Sequence, residues 1–432
     1  MYPNPQEALP LTARANFEHY RKLAKDLVKA CRSSEATAIR AWAIRWIDRL
    51  ATLQRRPKTL RTADDVEATA RRFEEFARPQ LTGGKCSVTR AQFVIARAHG
   101  FTSWPRFASH LKALQDRTST VAAFEAAALA VVSGDTEALR RLLRAHPHLV
   151  HARSTREHGA TLLHYVSANG VEGYRQLSPK NSGEIAEMLI DAGADVNATA
   201  DVYQGKCTAL GLVATSGPPS AAGVQREVID VLLKHGARID LRGSVGHDDL
   251  LVRGCLTNGQ PEAAEYLANR GAPLDLESAA GLGRIDDVKR LTARTSRKEV
   301  TAAFSLACAY GRAPVIDYLL AHGGVDVETE LRSHGDGHTG LHIAAFHGQL
   351  EAVRVLLTHG ANIHAIDKTW KTPPLTWALT GWQRSGHRGQ YHEVVAQLVA
   401  SGARVTPEMS EWEKAQLDPD MLAALRSRPQ SG

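Results

Sequence analysis

Cysteine is scarce in this sequence and never closely paired. Five are scattered through 432 residues, Cys31, Cys86, Cys207, Cys255 and Cys308, with no CxxC among them. That spacing argues against a disulfide framework and against a cysteine-based zinc site, and a reducing cytoplasm fits it best. Long apolar runs are missing as well. No eighteen consecutive apolar residues occur, and the opening MYPNPQEALPLTARANFEHY has no basic segment leading into an apolar one. Neither membrane insertion nor secretion is expected. There is also no phosphate-binding glycine loop, no HExxH and no nucleophile–base motif, which leans the reading away from catalysis and leaves no cofactor to expect.

Acidic residues run short at one end only. Residues 1–118 hold 22 Lys+Arg against 11 Asp+Glu, and the remainder holds 31 against 35. Balances of +11 and −4 divide the chain in two, and its length is too great for one compact core. The basic part reads as helices: NFEHYRKLAKDLVKACR, SSEATAIRAWAIRWIDRLATL, TADDVEATARRFEEFA, and VTRAQFVIARAHG followed by SWPRFASHLKALQ. Ser or Thr precedes several of them, and Asp64 and Asp65 sit in a first turn, as helix starts prefer. Its charge invites a nucleic-acid reading. The arginines, however, are spread through all the helices instead of being concentrated on one recognition helix, so a helical cap on the rest of the chain is the preferred role.

What is present is a repeat. EMLIDAGADVNA from 187, DVLLKHGARIDL from 230, EYLANRGAPLDL from 265, DYLLAHGGVDVE from 317, RVLLTHGANIHA from 354 and AQLVASGARVTP from 396 share one pattern. The period is that of a helical array. In each copy a first helix ends at a glycine, and a second carries an apolar stripe at i, i+3, i+4 spacing. Glycine then closes the second helix in the left-handed conformation. Neither helix buries its apolar face alone, so neighbours must stack.

The segments GHTGLHIAAFHGQLEAVRVLLTHGANIHAID (337–367), ATLLHYVSANG (160–170) and VSGDTEALRRLL (132–143) resemble the ankyrin-repeat family, in particular bacterial members with a helical N-terminal region. The resemblance covers roughly residues 120–407. It implies an all-α fold, an ankyrin-repeat solenoid of about eight turn–helix–helix units beginning near Ala122, His158, Tyr203, His247, Glu277, Thr301, Gly337 and Trp370. The expected domains are 1–118, a basic helical domain; 119–407, the array; and 408–432, a capping helix and tail. The implied function is that of a monomeric cytoplasmic protein gripping a protein or peptide partner in its concave groove. A small-molecule pocket or enzyme site under the insertion 171–183 is the alternative, and nucleic-acid binding by the N-terminal helices is a third.

Within such a unit, Thr161 with His164 and Thr339 with His342 are expected to bracket the turn, not to bind metal. His338 and His347 fill permissive places, and only His334 and Asp336 lack a repeat-derived reason. A metal site needs three or four converging ligands, which this stretch does not promise. Departures from the repeat carry more information. The bracket position reads Ala128, His164, Gly211, Arg253, Glu277, Ser305, His342 and Thr376, so Arg253 and Glu277 are a candidate ion pair or a polar recognition spot. Tyr165 and Trp377 follow that position, while Asn169, Ser216, Asn258 and Tyr310 come just before a helix-ending glycine; such residues suit a binding wall. Insertions occur at 171–183, with Tyr174, Arg175 and Gln176, at 218–225, and at 382–392, with Trp382. A lengthened finger carries Asp201 and Tyr203. The second and third units are therefore the preferred location of a site.

Overall fold

The computed structural model describes residues 3–11, 16–53, 62–81, 86–116, 118–246, 249–331, 337–385, 389–411 and 418–427. They form two compact units, Met1–Ala272 and Pro273–Gly432.

The first unit opens with α1 (Phe17–Cys31), α2 (Ala38–Leu53), α3 (Ala63–Leu81), α4 (Val88–Ala98) and α5 (Trp104–Gln115). Side chains of Asn16, Ser87 and Ser103 accept from the backbone N–H three residues on, satisfying amides that the helix leaves free at its start. The core is aromatic: Tyr20 meets Phe107 edge-on with centroids 4.9 Å apart, and Trp46 meets Phe73 at 5.5 Å. Several of the basic side chains are paired. Glu74, buried on α3, is shared by Arg40 at 2.6 Å and Arg78.

The rest of the chain is built of helix pairs. In the first unit they are α6 (Thr120–Ser133) with α7 (Thr136–Ala145), α8 (Leu162–Val166) with α9 (Ser182–Asp191), α10 (Ala209–Ala214) and the short α11 (Gly217–Ala222) with α12 (Gln225–Lys234), and α13 (Leu251–Thr257) with α14 (Pro261–Ala268). The second unit holds α15 (Leu276–Leu282) with α16 (Ile285–Thr292), α17 (Arg297–Ala309) with α18 (Ala313–His322), α19 (Gly340–Phe346) with α20 (Leu350–Thr358), and α21 (Pro374–Ser385) with α22 (Tyr391–Ala400). Two short helices, α23 (Pro407–Glu411) and α24 (Pro419–Leu425), come last. Gly134 shows why the pairs turn where they do: at φ 78° it takes the left-handed position that ends α6, and Asp135 then caps α7. In the second unit the stacked pairs share one core running through Phe304, Leu341, Leu356, Leu375 and Leu398.

The histidine brackets are formed. Nδ1 of His164 lies 2.8 Å from Thr161 Oγ1 and accepts from Thr161 N at 3.1 Å, while Nε2 reaches the Cys207 carbonyl at 3.3 Å. His342 repeats this with Thr339 and the Thr372 carbonyl. His338 corrects the expectation of a permissive place: it is 1% exposed and packs on the Trp377 ring at 5.2 Å. His334 and Asp336 lie outside the described residues. Among the described residues no three His, Cys, Asp or Glu side chains converge as a metal site.

Cysteine behaves differently from its spacing. Cys31, at the end of α1, and Cys86, just before α4, are joined as a disulfide, Cα to Cα 6.2 Å, although 55 residues separate them. The other three are free and buried.

Candidate recognition cleft

The insertion 171–183 folds inward. Val171 and Glu172 are buried, and Gly173–Arg175 make a single 3-10 turn. This brings Arg175 Nη2 to Glu125 Oε2 on α6 at 2.6 Å, and Arg156 Nη1 to Glu125 Oε1 at 2.6 Å. Arg156 Nε lies 2.8 Å from Glu172 Oε1, and Arg175 Nη1 lies 3.6 Å from the same oxygen. Rings close the cluster: Arg156 lies over Phe101, and Arg175 over Tyr165 and Tyr174, all at 5.5–5.7 Å. Tyr174 Oη accepts from Arg156 Nη2 at 3.4 Å.

Two carboxylates and two guanidiniums balance in charge, which is what lets them be buried. Burial pushes the Glu125 carboxyl up, but Arg156 and Arg175 outweigh it and hold it at about 2. Glu172 is held well below the usual carboxylate range in the same way. Burial raises the phenols of Tyr165 and Tyr174. The paired charges tie the insertion to α6.

Beside the loop, Asn169 and Gln176 meet Tyr203, Ser216 and Asn258 in a cleft of about 440 Å³. Gln6, Thr215, Asp249 and Thr257 complete its polar lining. Three successive pairs contribute, because Asn169, Ser216 and Asn258 each follow the first helix of their unit. Asn169 is fixed by both ends of its amide: Nδ2 donates to the Leu212 carbonyl and to Thr215 Oγ1, and Oδ1 accepts from Gly170 N and from the Tyr203 hydroxyl at 2.7 Å. Gln176 Nε2 donates to the Val171 carbonyl and Asn258 Nδ2 to that of Gly254. Their carbonyl oxygens take no partner among the described residues and remain available to a ligand.

Tyr203 stands at the tip of a hairpin, β1 (Thr199–Val202) paired antiparallel with β2 (Gly205–Thr208). Tyr203 and Gln204 occupy the turn at φ 50° and 58°, a left-handed conformation usual for glycine or asparagine. Ala168, on the cleft wall, has φ 47°. Such backbone costs about 1–3 kcal/mol per residue and gathers at functional sites. On its other side the hairpin, with Asp201, borders a larger cleft of about 670 Å³ whose opposite wall is the N-terminal segment from Pro3 to Ala8. Asp201 is exposed and pairs with Lys206.

The remaining candidates lie elsewhere. Tyr165 is wholly buried under Arg175. Arg253 pairs with Asp249, one turn earlier in the chain. Glu277 is half-buried in the first turn of α15 in the second unit, and Tyr310 follows α17. Trp377 and Trp382 are each 4% exposed, and Trp382 belongs to the core of the second unit. Sequence reasoning missed Gln6, whose side-chain oxygen lies 3.1 Å from the Tyr203 hydroxyl; a contact spanning 197 residues leaves no local signal.

A family model described as "Ankyrin repeats (3 copies)" matches residues 258–367 and 304–408. Over residues 258–408, then, the chain carries ankyrin repeats. A curated relative, zinc finger CCCH domain-containing protein 50 of Oryza sativa subsp. japonica, is 30% identical over 165 residues, 38% of this chain. The chain spans only 21% of that relative's length. Among solved structures, the human ASB11 ankyrin repeat domain matches 60% of this chain and 96% of its own, at 19% identity and a TM-score of 0.33. Among the described residues, no helix of the chain is long and apolar enough to cross a membrane.

Proposed function

We propose that this protein is a recognition module that binds a protein or peptide partner in the concave groove of its repeats, with the cleft of Asn169, Gln176, Tyr203, Ser216 and Asn258 as its principal site. The observation that carries this reading is the convergence of side-chain amides and hydroxyls from three successive repeats on one cleft. Amide and hydroxyl groups match the donors and acceptors of an extended peptide backbone without demanding a particular side-chain charge. The strained hairpin tip at Tyr203 and the strained Ala168 on the wall support the same place.

A small-molecule ligand is the second reading, favoured by a cleft volume within the range of metabolite sites, roughly 300–1,000 Å³. Site-specific photo-crosslinking separates the two. A benzophenone side chain at Asn258 is expected to capture a discrete protein in cells, whereas the same group at Arg354, exposed on α20, captures none. Equal capture from both positions removes the reading. Absence of protein adducts together with a metabolite-induced rise in melting temperature selects the small molecule.

A further inference from the structure

Trp370 is 55% exposed, and Ile366 in the same finger is 54% exposed. An indole left in water needs a reason, particularly when the backbone around it is so firmly held. The buried Asp367 carboxylate organises that finger. Its Oδ1 accepts from Thr369 N at 2.9 Å and Trp370 N at 2.5 Å, and its Oδ2 accepts from Thr372 N and Thr372 Oγ1, both at 2.9 Å, and from Trp377 Nε1 at 3.2 Å. The next residue, Lys371, is forced to φ 58°. The indole is therefore displayed from a rigid mount, edge-on to the buried Trp377 ring at 5.0 Å.

Beside the touching Trp370 and Trp377 rings, and lined by both, lies a slot of about 250 Å³. Phe346 forms its far wall, and Thr376, Thr380 and Arg384 line it from α21 at successive i, i+4 positions. The volume is below the usual range for small-molecule sites, about 300–1,000 Å³, and suits a single bulky side chain. No carboxylate lines the slot among the described residues. Arg384, which lines the slot, and Lys371, next to Trp370 in the chain, are exposed and have no acidic partner among the described residues, in contrast to Lys368, which Glu330 neutralises at 2.5 Å.

We propose that this slot in the second unit is a docking site for a peptide segment that inserts one large apolar or aromatic side chain into it, against Trp370, Trp377 and Phe346, and places adjacent carboxylates against Arg384 and Lys371. The aromatic walls supply contact area at low entropic cost, and the two cations supply the charge preference. A single-stranded nucleic acid is the less suitable occupant. Base stacking needs flat, open rings in series along a cationic track, and here one ring is buried and, among the described residues, Arg384 is the one cation that lines the slot.

The site is distinct from the cleft of the first unit, so it is tested separately. The full chain is screened against a displayed library of random linear peptides, and the enriched sequences are titrated by fluorescence anisotropy. Enrichment of a bulky apolar residue flanked by Asp or Glu is expected, with affinity falling about tenfold or more in Trp370→Ala. Arg384→Glu is expected to reverse the selection toward basic flanks. Both side chains are exposed, and unchanged melting temperatures check that the variants fold. The proposal is overturned by an absence of enrichment, by enriched peptides without acidic flanks, by equal binding to Trp370→Ala, or by displacement of the peptide with single-stranded oligo-uridine at moderate salt.

Discussion

Glu172 is fully buried in a loop that a minimal repeat would not contain. Its worth lies in the guanidiniums it neutralises. Replacing Glu172 with Gln keeps the shape but leaves Arg156 and Arg175 sharing one carboxylate instead of two. Breaking a buried pair in this way typically costs about 3–5 kcal/mol, so urea denaturation of Glu172→Gln should show a clearly lower midpoint with an unchanged slope. A midpoint equal to that of the parent would mean that solvent already reaches the cluster. At the same scale, Tyr174 and Arg175 are legible in the sequence as unusual residues in an insertion, but their inward direction is not. Direction depends on partners at positions 125 and 156, which no local pattern connects to them.

At the scale of the element, departures from the repeat have identifiable causes. Gly211 stands where two other units place histidine, and the Ser244 carbonyl approaches so closely that a Cβ there would lie 1.9 Å from it, while Thr208 N donates to that same carbonyl at 3.1 Å. Gly211→Ala should therefore push two fingers apart and destabilise the first unit by about 1–3 kcal/mol, readable by hydrogen exchange in α10 and the hairpin before it. The ends of α1 and α4 carry a second consequence. Since Cys31 and Cys86 meet and the other cysteines are free, thiol titration of oxidised, denatured protein should find three thiols, and find five after reduction. Five thiols under both conditions would show the pair open in solution.

For the molecule as a whole, buried histidines make the first unit sensitive to acid. Burial lowers His99 to about 3 and His110 and His164 to about 4, against an ordinary value of 6.5. The unfolded chain thus takes up these protons at higher pH than the folded one. Their contribution is fully present above pH 6.5 and is lost as pH falls toward 4 for His110 and His164 and toward 3 for His99, on the order of a few kcal/mol for each histidine. The carboxylate of Glu125 adds to this below its ordinary 4.5, as pH falls toward about 2. A melting temperature that drops steeply between pH 6.5 and 4 is expected, and a flat profile there would mean that the imidazoles are hydrated. Hydrogen exchange across the same range should open α4, α5 and α8, which carry or adjoin these rings.

The sequence by itself determined the repeat, the helix pairs and the role of Thr161, His164, Thr339 and His342, because helical period, capping and glycine turns are written within a few residues of one another. It also marked Asn169, Gln176 and Tyr203 as departures worth following. Only the tertiary structure decided that Tyr165, Trp377 and Trp382 are buried while Trp370 is displayed. The same holds for Gln6 crossing to Tyr203 and for a four-charge cluster underpinning the insertion. The physical reason is common to all of these. Burial, charge compensation and the enclosure of a cleft are properties of side chains brought together from separate units, and only the packed array fixes which of them meet.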